Sequence, residues 1–116
     1  MKVRVVARND RGVFLGRGVD DRFYVFSLDD SREIEVGDHL RGQFDDTNGL
    51  TQNVLNLTRG QDVRISAESW HRPLEVACEY LLKLSSPNVI QAGTESFSAL
   101  EEGASLAKML EAIHRS

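Results

Sequence analysis

Along the first 68 residues, apolar and polar side chains alternate in short bursts separated by turn residues. In Lys2-Val3-Arg4-Val5-Val6-Ala7-Arg8, the apolar Val3, Val5 and Ala7 fall on one side and Arg4, Val6 and Arg8 on the other, the period of a half-buried strand. Asn9-Asp10-Arg11-Gly12 reads as a turn, because Asn and Asp bond their own backbone and Gly accepts positive φ. A second burst, Val13 to Leu15, runs into Gly16-Arg17-Gly18, which reads as a further turn. Phe23-Tyr24-Val25-Phe26-Ser27-Leu28 carries the strongest strand signal, with aromatic and branched residues bracketed by Asp20-Asp21 and Asp29-Asp30-Ser31. Both of its faces are apolar, which predicts a central position.

From Glu33 to Phe44, Ile34 and Val36 are followed by Gly37-Asp38 and then by Leu40, Gly42 and Phe44, suggesting a turn or bulge between two strand segments. Asp45-Asp46-Thr47-Asn48-Gly49 is a loop built around Asn48-Gly49, a hairpin signal. Asn53, Leu55 and Leu57 alternate beyond it, Arg59-Gly60 offers another tight turn, and Val63, Ile65 and Ala67 continue towards Trp70. Short strands with frequent turns predict a small antiparallel β-barrel or curled sheet of six to seven strands over residues 2–68, since closure removes exposed edges.

After Trp70 the period changes. Leu74, Ala77, Cys78 and Leu81 follow helical spacing from Pro73 to Leu84, about three turns, stopped by Ser85-Ser86-Pro87. Val89-Ile90 belongs either to a loop or to an added edge strand. Ser98 with Glu101 forms a capping box, and a helix from Ala99 to about His114 follows. Its small-residue strip Ala99, Gly103, Ala107 suits close packing on the barrel or the preceding helix, or a helix–helix dimer. The expectation is an α+β single domain, 1–116, with a barrel-like part over 2–68 and two C-terminal helices packed on it over 73–116.

Charge adds one asymmetry. The chain has 14 Lys+Arg against 18 Asp+Glu, and ten of its eleven Arg lie between Arg4 and Arg72. Residues 1–70 still hold 10 basic and 12 acidic groups, so no long-range positive field is present, whereas a local Arg-bearing face is allowed. At 116 residues one core forms without metal or disulfide, and the lone Cys78 has no internal partner. No run approaches the ~18 apolar residues of a membrane span, and the start resembles no signal peptide, so a cytoplasmic location without membrane contact is expected.

The run Ile34-Glu35-Val36-Gly37-Asp38-His39-Leu40-Arg41-Gly42-Gln43-Phe44, in the context of the strand order before it, resembles the strand entry of small β-barrels of the OB-fold and cold-shock type. The resemblance covers residues 2–68 at most. It implies single-stranded nucleic-acid binding, with Phe14, Phe23, Tyr24 and Phe26 as stacking candidates and Arg4, Arg8, Arg17, Arg22 and Arg41 as phosphate contacts. Read from barrel size alone, the same aromatics are core side chains, because a small barrel needs its few large residues inside.

Chemistry of other kinds finds little purchase. The pairs Asp20-Asp21, Asp29-Asp30 and Asp45-Asp46 read as solvated turns. An EF-hand reading of Phe44 to Leu55 puts Phe and Leu where acidic ligands belong. One Cys and three His without paired spacing make no zinc site. Cys78 sits on the apolar helix face, a buried small residue rather than a nucleophile for His71. No Gly-x-Ser-x-Gly elbow or phosphate loop occurs. Trp70, His71 and Arg72 mark the junction of barrel and helices, where Trp70 and Arg72 either close the seam or form a recognition surface. The sequence therefore predicts a non-enzymatic interaction module without cofactor or metal. A protein partner or self-association comes first and nucleic acid second.

Overall fold

The structure is a computed structural model, and it describes residues 1–9, 11–20, 22–45, 50–72, 74–83, 89–92 and 95–98. Eight strands and one helix follow in order: β1 (Lys2–Asn9), β2 (Val13–Gly18), β3 (Phe23–Leu28), β4 (His39–Arg41), β5 (Thr51–Asn56), β6 (Gln61–His71), α1 (Leu74–Lys83), β7 (Val89–Ala92) and β8 (Glu95–Ser98). Strands β1-β2-β3-β6-β5-β4 pair antiparallel in that order and β4 returns to β1, closing a six-stranded barrel. The architecture is thus a small closed antiparallel barrel, as the alternation predicts, with six strands where an OB-fold has five.

Two apolar clusters account for closure. The inner one draws Val3, Val5, Phe14, Tyr24, Phe26, Leu40, Val54, Val63 and Ile65 from all six strands, with Ile34 and Phe44 from the connections. Phe26 packs edge-on against Phe44, ring centroids 5.1 Å apart, and stacks on Phe14 at 5.5 Å. The outer cluster places Leu74, Ala77, Cys78 and Leu81 of α1 over Val6, Ala7, Leu15 and Val25. This explains why β3 is apolar on both faces: one lines the barrel and the other is covered by the helix.

Several segments depart from simple alternation. The β1–β2 register shifts between Val5 and Ala7, so Val6 is the extra residue of a bulge, and both Val6 and Ala7 join the helix-covered cluster. At the same place the Val5 N–H donates to the Asp38 carbonyl and the Gly37 N–H to the Val5 carbonyl. Residues 33–38 are consequently held as a docked turn, not as the first of two strand segments, with Gly37 at a φ of 99°. Gly16-Arg17-Gly18 is strand rather than turn. Gly16 faces the lumen where a Cβ would collide with Val3, so glycine there serves close packing.

Val89–Ala92 forms a strand that pairs with Arg8 and Asn9, and β8 pairs with it in turn. The second helix, its strip Ala99, Gly103 and Ala107, and the Asn48-Gly49 turn lie outside the described residues. Among the described residues no helix is long and apolar enough to cross a membrane.

Candidate binding face at the barrel rim

Strand register decides which of the arginines meet. Val3 and Val5 point into the barrel, which turns Lys2 and Arg4 outward, and the same logic turns Arg17 out between Gly16 and Gly18 and Arg41 out beside Leu40. Arg4 lies opposite Arg17 on β2 and opposite His39 on β4, while Lys2 lies opposite Arg41. Four cationic side chains therefore occupy two adjacent rows on one outer face, about 5 Å apart across strands and about 7 Å along them. Lys2, Arg4 and Arg41 are exposed, and none of the three forms an ion pair among the described residues. The Lys2–Arg41 row continues to Leu55 and ends in acidic Asp62.

The rows abut the barrel end where β1 and β3 begin and β2 and β6 finish. There Tyr24 pairs with Trp70, and Arg17 pairs with Phe23, which faces His71. Trp70 is 40% exposed, and the Arg22 guanidinium lies 4.4 Å from the centroid of its ring. Arg22 Nε also stands 3.7 Å from Asp20 Oδ2, a loose pair between half-exposed groups. Asp20 itself is well fixed: its Oδ2 accepts the Tyr24 hydroxyl at 2.7 Å and its Oδ1 the Arg22 backbone N–H at 3.2 Å. Although burial opposes its charge, these bonds and the Arg22 cation hold the Asp20 carboxyl below the ordinary carboxylate value. Burial and then the bond to Asp20 push the Tyr24 hydroxyl up to about 12.

Other candidates go elsewhere. Phe14, Tyr24 and Phe26 are fully buried in the lumen, which removes them as stacking surfaces. Their size fills a barrel that has no other large side chains to spare. Phe23 is partly buried against α1. Arg8 sits beyond the bulge, donating to the Ile34 carbonyl at 3.1 Å and covering the Phe14 ring, so it braces the docked turn instead of joining the basic rows. Arg72 is exposed just past the end of β6. His71 accepts or donates a 3.0 Å bond with Ser69 Oγ beside Tyr80, and burial lowers its pKa.

Lys2 escaped the sequence reading, although it shares the outward side of the β1 alternation with Arg4. Asp20, read there only as a turn residue, proves to anchor Tyr24 and Arg22. No group of three or more His, Cys, Asp or Glu among the described residues is arranged to hold a metal ion. By fold and surface, the described part of the molecule is a closed six-stranded antiparallel β-barrel with a basic outer face ending at an exposed tryptophan. Compared with protein-family models, with curated proteins and with solved structures, the chain matches none.

Proposed function

We propose that the protein is a non-enzymatic binding module that presents the Lys2, Arg4, Arg17 and Arg41 face of its barrel to an anionic macromolecular partner. The observation that carries this reading is the gathering of four cations, three of them exposed and outside any described ion pair, on adjacent strand rows of an otherwise acidic chain. Natural surfaces intersperse charges of both signs. A cation cluster without carboxylates among it raises the local concentration of anions and offers guanidinium forks to carboxylate, sulfate or phosphate groups. The rigid barrel beneath holds the forks in register, so little order has to be imposed on binding.

The test is binding of fluorescein-labelled heparin and of labelled poly-L-glutamate to the full chain at low salt. Binding that weakens as salt rises, and that falls about tenfold in the Arg4→Ser/Arg41→Ser double variant, is expected, equivalent to about 1.4 kcal/mol. Absence of binding to either polymer, or equal binding by the double variant, overturns the reading.

A further inference from the structure

The chain has one tryptophan, and its exposed ring is already occupied on one face by a guanidinium that is weakly held. Arg22 has two described side-chain contacts: the ring, and Asp20 at 3.7 Å, beyond hydrogen-bond reach. The Asp20 carboxylate does not depend on that contact, since Tyr24 Oη–H and the Arg22 backbone N–H both donate to it. Arg22 can therefore leave the ring without stranding a buried charge, and the ring loses only a cover that another planar, electron-poor surface replaces.

The geometry points to Arg22 as a displaceable cover on Trp70, exchanged for a base of a single-stranded nucleic acid whose phosphates run along the Arg17, Arg4, Lys2 and Arg41 rows. This rests on the binding reading above and names its partner class. The pairings Arg17–Phe23, Tyr24–Trp70 and Arg4–Arg17 place the ring about two strand spacings, roughly 10 Å, from Arg17. A few nucleotides of an extended strand span that distance. An acidic polypeptide satisfies the cations equally well but leaves the aromatic surface idle. A polymer that alternates anionic groups with flat rings engages both, because every base has a π-face and stacking on tryptophan tolerates any sequence. Once released, the Arg22 guanidinium is free to pair with a phosphate, so displacement adds a cation to the row it leaves.

The experiment uses the emission of Trp70, which is the whole tryptophan signal of the chain, together with anisotropy of a fluorescein-labelled single-stranded DNA oligomer about twelve nucleotides long. The expected result is quenching of Trp70 that saturates with the anisotropy change. Trp70→Leu, which keeps apolar bulk without the ring, weakens oligomer binding about tenfold, and Trp70→Phe restores part of it. Arg22→Ala keeps the quenching but lowers the slope of log affinity against log salt by about one. Poly-L-glutamate leaves the emission unchanged. If the oligomer binds without altering Trp70 emission and Trp70→Leu binds as tightly as wild type, this inference is overturned while the basic-face reading stands. If poly-L-glutamate quenches Trp70 and competes at equal charge concentration, the partner is an acidic polypeptide and the inference is likewise overturned. If no polyanion binds at low salt, both readings fail together.

Discussion

Two parts of this barrel use the same residue types to opposite ends. Around Asp38, a side chain almost wholly buried, one carboxylate oxygen accepts the Glu35 N–H, Asn56 Nδ2 and Arg59 Nε, each at 3.0 Å, while Arg59 reaches Glu35 at 2.7 Å. Asn56, fully buried, accepts the N–H groups of Thr58 and Arg59 in return. Every polar group of this knot faces another, and the knot ties the docked turn of 33–38 to the β5–β6 turn. At the basic rim, Lys2, Arg4 and Arg41 have no such partners, and Arg22 rests on a ring. Satisfied charges fix the shape of the molecule, and charges left facing solvent are available to something else.

The comparison breaks first at Asp38. Asp38→Ala strands the Glu35 N–H and the Asn56 amide; Arg59, about one-third exposed, recovers some solvation, so a loss of about 3 kcal/mol is expected by urea unfolding. Heparin binding by the folded variant should be unchanged, since no residue of the knot lies in the basic rows. If stability is unaltered, the knot is decoration and the contrast collapses.

Acid offers a second view of the same group. Burial opposes the charge on Asp38, but the Glu35 N–H, Asn56 and Arg59 outweigh it and hold its pKa below 3.8. A depressed carboxylate contributes stability that is present above its unfolded pKa and lost as pH falls through the folded value. Wild type should therefore lose stability below about pH 4, and Asp38→Ala should lose less over that window.

Gly16→Ala places a Cβ against Val3 inside the packed lumen, with Phe26 close behind, and should cost about 2 kcal/mol in the same assay. Tyr24→Phe removes only the bond to Asp20 and should cost about 1 kcal/mol at neutral pH. With Tyr24 raised to about 12, the unfolded chain ionises first, so this contribution is present below about pH 10 and lost as pH rises towards 12. Alkaline denaturation of Tyr24→Phe should be correspondingly flatter between those limits. The smallest effect on stability belongs to Arg4→Ser/Arg41→Ser, within about 0.5 kcal/mol of wild type, although it carries the large effect on polyanion binding. A marked destabilisation of that double variant would mean that the rim cations are structural after all.

Much of the barrel was legible because strand alternation and turn residues are local properties. The Val3/Val5 alternation, the both-sided apolarity of Phe23–Leu28, the Asn9 turn, whose Oδ1 accepts the Arg11 and Val13 N–H groups, and the Leu74–Leu81 spacing all report directly on neighbours along the chain. Where reading failed, a distant segment intervened. Glu33–Val36 carries strand-like residues but is a docked turn, because the β1 bulge at Val6 offers it the Val5 backbone. Gly16 and Gly18 look like a turn and are strand, because Val3 and Tyr24 crowd the lumen they face.

The candidate face shows the same division more sharply. The sequence by itself determined that Lys2 and Arg4 share the outward side of one strand, since that follows from a period of two. That Arg17 and Arg41 stand beside them while Arg8 does not, and that Tyr24 and Phe26 are core while Trp70 is exposed under Arg22, was decided by the tertiary structure. Cross-strand neighbours depend on register and closure, which couple residues tens of positions apart, and no local pattern in the chain encodes that pairing.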